Sequence, residues 1–337
     1  LEILKQRGLF GPRLRRMPGR RIFVHARRDA AARIASGAFD FFNTLAELAR
    51  ASDIPIHVVH ATPRSRADAA KGGRHLHVFY GGKPLAGPRI LHACPTYLHG
   101  YWYCDPRGAR HHSSIAAAAF DPDTIDPAGA LALLGRLHGA TVAANRSKYD
   151  QPARGGRALK PGGIAIFAQQ PITATEGQFH IDMIPLIEAV LGANAGACPV
   201  YIKLHPRQRP DLAAAIRAFH APDAGVEVVD VSVHDLLESC AFTVSQSSAA
   251  AFEGFIHQKP AILAGITDFA QNAVTITDAR QMPAAMAEVE ARAFDHARFL
   301  AWFLERQCLE PKAPDFPARL ASRLGDAGFP LGPGAGG

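Results

Sequence analysis

Strand-length apolar runs alternate with helical patterns through most of the chain, and that alternation is the pattern of parallel sheets covered by helices. In the first half, Arg21–His25, Ile56–His60, Leu76–Tyr80 and Arg89–Ala93 read as strands. Residues 38–51 read as a helix, with Phe41, Leu45 and Leu48 at i, i+4 and i+7. A second helix is expected near 127–138, with Asp126 as N-cap and Pro127 at its first position. The pattern restarts after residue 162. Strands are expected at Ile164–Ala168, Val200–Leu204, Val226–Val229, Phe242–Ser245 and Pro260–Leu263, with helices at Ile181–Leu191, Pro210–Phe219, His234–Glu238 and Ser248–His257. Residues 283–308 read as one or two amphipathic helices.

At 337 residues the chain suits two domains, each large enough to bury a core of its own. Residues 146–162 are rich in Gly, Pro and charge and have almost no apolar periodicity, as an interdomain linker would. The expected organisation is a basic arm over 1–28, a Rossmann-like domain over 21–150, a linker at 151–162, a second Rossmann-like domain over 163–310 and a tail at 311–337. The five cysteines show no Cys-x-x-Cys spacing, which argues against a disulfide framework or a thiolate zinc site and fits a reducing cytoplasm. No apolar run approaches the ~20 residues of a membrane-spanning helix. Residues 1–28 hold nine Lys/Arg against one Glu, whereas the rest holds 28 against 29. A basic arm of that kind attracts an anionic lipid surface, a nucleic acid or an acidic partner, or is simply a solvated tail. Aromatic residues do not interleave with its charges beyond Phe10, so a nucleic-acid platform is not expected.

Ligands of open parallel sheets bind outside the carboxyl ends of the strands. Three strand ends here carry unusual polar groups: Gln169-Gln170, Lys203-Leu204-His205-Pro206-Arg207, and Ser245-Gln246-Ser247-Ser248. Serines before a helix serve either as an N-cap or as phosphate donors. Pro206 stops the strand and holds His205 at the sheet edge. Glu253 follows within the next helix, where it either faces solvent or accepts ribose hydroxyls. Residues 92–114 gather aromatics, histidines, Arg107, Arg110 and Asp105 after a strand. They read as an acceptor loop with Asp105 as base or nucleophile, or as core with a plain turn. His25, Asp40 and His99 are further candidates on this half.

The segments 203–207 and 245–261 resemble the nucleotide-binding domain of GT-B glycosyltransferases. They look most like the capsule polysaccharide biosynthesis proteins, which include CMP-Kdo-dependent Kdo transferases, and the related bacterial sialyltransferase-like enzymes. The resemblance covers residues 163–270 and follows the first half in outline only. It implies an α/β chain of two Rossmann-like domains facing a central cleft, and a transferase with no metal and no cofactor. Its donor would be a nucleotide sugar, CMP-linked, and its acceptor a capsule or lipopolysaccharide glycan at the cytoplasmic face of the inner membrane. Carried over residue by residue, His205, Ser247 and Ser248 would hold the donor phosphate and Glu253 the ribose, with Gln169, Gln170, Arg207 and Ser245 around them. The turn His257-Gln258-Lys259-Pro260 departs from the family in lacking its usual Gly. Two other readings stand beside this one: a CDP-alditol-dependent glycerol- or ribitol-phosphate transferase of the teichoic-acid type, and a non-catalytic glycan-binding partner.

Overall fold

The computed structural model describes residues 1–4, 14–81, 83–169 and 178–332. The chain forms two compact units.

The first unit comprises Leu1–Thr96, Gly100–Ala117 and Leu304–Gly337. Its strands are β1 (Glu2–Ile3), β2 (Ile22–Ala26), β3 (Ile56–His60), β4 (Leu76–Phe79), β5 (Ile90–Pro95) and β6 (Trp102–Asp105). They form one sheet in the order β1-β3-β2-β4-β5-β6, parallel except for the β5–β6 pair. Helices α1 (Arg28–Ala35) and α2 (Asp40–Ala51) cover one face over Ile22, Val24, Val58 and Val78. Helix α3 (Pro63–Ala70) and the turn Leu14–Arg16 lie beyond the other, where Phe23, His25, His77, Phe79 and His92 point. Helix α3 has no apolar stripe. It is fixed instead by a reciprocal Thr62–Ser65 capping box and by Asp68, which accepts the Leu14 amide at 3.1 Å.

The second unit comprises Tyr97–His99 and Ala118–Phe303. Helix α4 (Pro127–Leu137) runs into a π-helical turn at His138–Ala143. Then come β7 (Gly163–Phe167), α5 (Met183–Asn194), β8 (Val200–Lys203), α6 (Pro210–Arg217), β9 (Val226–Val229), α7 (Val233–Ser239), β10 (Cys240–Ser245), α8 (Ala249–Gly254), β11 (Ala261–Leu263), β12 (Val274–Thr275), α9 (Met282–Ala291) and α10 (His296–Ala301). The sheet is wholly parallel, in the order β12-β11-β10-β7-β8-β9. Its central strands β7, β10 and β11 are buried on both faces, which is why they read as near-continuous apolar runs. Ile164 and Ile166 meet α5, α6 and α9 on one face, while Ala165 and Phe167 meet α7 on the other. The last helix, α11 (Phe316–Asp326), belongs to the first unit and sends Phe316, Leu320 and Leu324 into the α1/α2 core.

Four expectations differ from this architecture. The chain divides at 117/118 and 303/304 rather than at 151–162, because α4 packs on α10 and Phe120 lies against Phe299 and Trp302 at 5.2 and 5.5 Å between centroids. The tail expected at 311–337 contains α11, whose apolar side chains recur at i, i+4 and i+8. The described parts of the basic stretch 1–28 are built into the first unit. Glu2–Ile3 pairs with β3, Arg20 donates to the Pro330 carbonyl at 2.8 Å over the Phe329 ring, and Arg21 donates to the Pro18 carbonyl. Finally, the aromatics of 92–114 are core rather than a sugar-facing loop: Tyr103 is fully buried and Trp102 stacks on Phe41 at 5.1 Å.

Candidate nucleotide site

The strands β7, β8 and β10 are adjacent, so their carboxyl ends emerge side by side. Gln169 follows β7, and its carboxamide closes on Ser247, the second residue after β10. Nε2 donates to the Ser247 hydroxyl at 3.3 Å, and Oε1 accepts the Ser247 amide. The turn after β8 joins them, as Gln208 donates to the Gln169 carbonyl and accepts the His205 amide, each at 3.3 Å. Gly265 lies next to this cluster for a steric reason. A Cβ there would stand 2.9 Å from both the Gln178 and Gln246 carbonyl oxygens.

The chemistry of His205 is set by its turn. Its Nδ1 accepts the Arg207 amide at 3.0 Å, so the ring proton sits on Nε2. Among the described residues Nε2–H has no partner. Burial, and then the charges of Lys148 and Arg207, depress the imidazole pKa, which keeps His205 a neutral donor at neutral pH. The serines divide their roles. Ser248 is the N-cap of α8 and accepts the Ala250 amide at 3.2 Å, and Ser245 accepts the Ser248 amide at 3.2 Å. Ser247 and Ser248 accept within the protein and so still have their O–H to donate, while Ser245 is wholly buried. Lys203 turns away to the Val231 carbonyl at 2.7 Å.

Glu253 is buried beneath the cluster. Its Oε1 accepts the Ser147 hydroxyl at 2.8 Å, and its Oε2 has no partner among the described residues. Burial raises its carboxyl to about 7, opposed by the Ser147 bond and the Lys148 charge. Ser147 comes from the stretch that reads as a linker in the sequence. Two residues on, the Tyr149 ring meets His205 edge-on at 5.1 Å, with the Arg207 guanidinium 5.4 Å from the Tyr149 centroid. Ser147 and Tyr149 thus border the cluster, with Lys148 between them. A Ser-Lys-Tyr run without apolar periodicity carries no signal of its own.

The remaining candidates fall elsewhere. Gln170 lies outside the described residues. Asp105 is buried, and its oxygens accept the amides of Arg107, Gly108 and Ser114 at 2.8, 3.0 and 2.8 Å and the Ser114 hydroxyl at 2.5 Å. That is the work of a turn-organising carboxylate. Asp40 is exposed at the start of α2. His25 is fully buried in the first unit, 2.9 Å from His77 and stacked on Phe79. His99, exposed, donates to the Ser147 carbonyl at 3.1 Å and so borders the site in the second unit.

No protein-family model matches the sequence, and no curated protein matches it. Solved structures do match. The beta Kdo 2,7 transferase of Thermosulfurimonas dismutans KpsC superposes with a TM-score of 0.52 at 15% identity, covering 83% of this chain and 89% of that one. The chain has the GT-B type of fold. The beta Kdo 2,4 transferase of KpsC from the same organism matches at 15% identity and a TM-score of 0.48, covering 80% and 91% of the two chains. A UDP-GlcNAc 2-epimerase of Methanocaldococcus jannaschii, in complex with UDP-GlcNAc and UDP, matches at 8% identity and 0.39, covering 91% and 99%. At these identities the likeness is one of fold. In this GT-B fold the polar cluster sits where β7 and β10 diverge, the switch point at which open α/β sheets bind ligands.

The raised carboxyl of Glu253 gives a test with a defined sign. The folded protein keeps a proton that the unfolded chain releases from about pH 4.5, so this group lowers stability as pH rises from there through 7. The full effect is about 3 kcal/mol. In urea unfolding between pH 4 and 8.5, Glu253→Gln should gain on the wild type as pH rises across that window. Parallel stability profiles would contradict the assignment.

Proposed function

We propose that this chain is a glycosyltransferase that moves a sugar, Kdo or a related acidic sugar, from a CMP-linked donor to a capsule or lipopolysaccharide glycan. One observation carries the reading: a neutral imidazole with an unused Nε2–H and a buried carboxylate with an unused oxygen flank the same three residues, 147–149, at the switch point of the sheet. A nucleotide needs those two groups in that order. The His205 Nε2–H and the hydroxyl protons of Ser247 and Ser248 would meet the phosphate, and Glu253 is the group to which the resemblance gives the ribose.

In the transfer, the bond from the anomeric carbon to the phosphate oxygen breaks and the phosphate leaves with the electron pair. An acceptor hydroxyl forms the new bond and gives up its proton. Charge develops on the departing phosphate, and donors already fixed by the protein stabilise it without reorganisation. His99, exposed and bordering the cluster, is the candidate for the acceptor's base, because Asp105 has no oxygen to spare.

A membrane-linked acceptor fits the nine cations of residues 1–28, of which Arg16, Arg27 and Arg28 are exposed. Each Lys or Arg near an anionic surface contributes ~1 kcal/mol. No helix among the described residues is long and apolar enough to cross a membrane, and the attachment proposed here is through these charges. Co-sedimentation with anionic liposomes should therefore be strong at low salt and lost at 1 M; indifference to the liposomes at low salt would remove the membrane from this account. For the nucleotide site, His205→Ala should weaken CMP binding in calorimetry by ~1.5–3 kcal/mol, the range for a hydrogen bond to a charged group. An unchanged affinity would sink the phosphate assignment.

A further inference from the structure

Residues 145–155 form a strap, and five residues of one short stretch, Ser232 to Glu238 at and along α7, anchor it. The Ser232 hydroxyl donates to Asn145 Oδ1 at 2.6 Å, and the Val233 amide donates to Gln151 Oε1 at 2.9 Å. Asp235 accepts Arg154 Nε and the Gly155 amide, each at 2.8 Å, and Glu238 pairs with Arg154. Asn145 stands at φ +48°, in the left-handed region, and its Nδ2 donates to the Pro152 carbonyl at 2.8 Å, which draws the two ends of the strap together.

The anchor nearest the site is His234. It is fully buried, and its Nε2 lies 2.9 Å from the Arg146 carbonyl, which can only accept. Nε2 therefore carries the proton, and Nδ1 accepts from His257 Nε2 at 3.1 Å. Arg146 immediately precedes Ser147, so this bond fixes the backbone at the point where the strap turns into the site. Ser147 then reaches Glu253 and Tyr149 reaches His205. Two residues of backbone span at most ~7 Å, which is within the reach of one nucleotide. Lys148 stands between them, exposed, with Nζ 5.7 Å from the Tyr149 centroid. Its charge acts on both His205 and Glu253.

We propose that the strap is one wall of the donor site: Lys148 contacts the donor phosphate, Tyr149 packs against the donor beside His205, and His234 is the positioning residue that holds both in place through the Arg146 carbonyl. This rests on the nucleotide reading above. A strap clamped at five points brings a cation to the site without ordering it on binding, so its contribution to affinity is not offset by the cost of freezing a loop.

The test is CMP binding by calorimetry on the full chain, with thermal melts to confirm folding. Lys148→Met should raise the Kd about tenfold or more, as loss of a charged hydrogen-bond donor does. His234→Leu removes the bond to Arg146 and should raise the Kd comparably. His234→Gln can still donate from its Nε2 and should restore binding to within about twofold of wild type, a rescue that a purely structural role would not show in Kd. A wild-type Kd in Lys148→Met, with loss in His205→Ala, would leave the nucleotide site standing and remove Lys148 from it. A wild-type Kd in His234→Leu, or a folded His234→Gln that binds no better than His234→Leu, would overturn the positioning role. Failure of the wild type to bind CMP would overturn the nucleotide reading and the strap with it.

Discussion

The adjacency of β7 and β10 governs the second unit. Their register pairs Ser245 with Phe167, so the residues that follow leave the sheet at the same level, and Gln169 can close on Ser247. On the other side, Phe167 pairs with Lys203, which brings the turn of His205 to that same level. The sheet grows outward in both directions from this pair. Helices α5 and α6 consequently cover one face and α7 the other. The second face is where the strap docks and where α8 carries Glu253 inward.

Electrostatics then acts on Glu253 and His205 in opposite senses. Burial acts oppositely on an acid and a base: it raises Glu253 and depresses His205, so both tend toward neutrality at the same pH. Lys148 favours the charged form of the carboxylate and disfavours that of the imidazole, so it keeps His205 a neutral donor while easing the ionisation of Glu253. An incoming phosphate would find a cation and a neutral donor, and an incoming ribose a carboxyl poised between its two states.

Much of this architecture was legible in the sequence because parallel strands buried on both faces must be apolar along their whole length. The runs Ile164–Ala168 and Pro260–Leu263 fall within one residue of β7 and β11. The elements that escaped lack that signature. Helix α3 is held by a capping box and a buried aspartate, and β6 is an antiparallel return inside a segment crowded with polar side chains. Helix α11 did carry a signal, Phe316, Leu320 and Leu324 on one stripe, that the Gly/Pro-rich residues after it obscured. In the polar cluster, His205 and Ser247 stand out in the sequence because each follows a strand, and Glu253 because it lies within the helix that Ser248 caps. The strap was not, since its order comes from hydrogen bonds to α7 that no local spacing encodes. Asp105 shows the converse: a carboxylate among aromatics and histidines looks reactive in sequence, yet four donors use it to build a turn.

The central claim is that the second unit holds a nucleotide at the ends of β7, β8 and β10. A thermal-shift series of CMP, CDP, UDP, GDP and ADP tests it directly, because a ligand that binds the folded state alone stabilises it by mass action, about 2.7 kcal/mol at a hundred times its Kd. The account predicts a rise in Tm that is largest for CMP. A series in which no nucleotide moves the transition would contradict it.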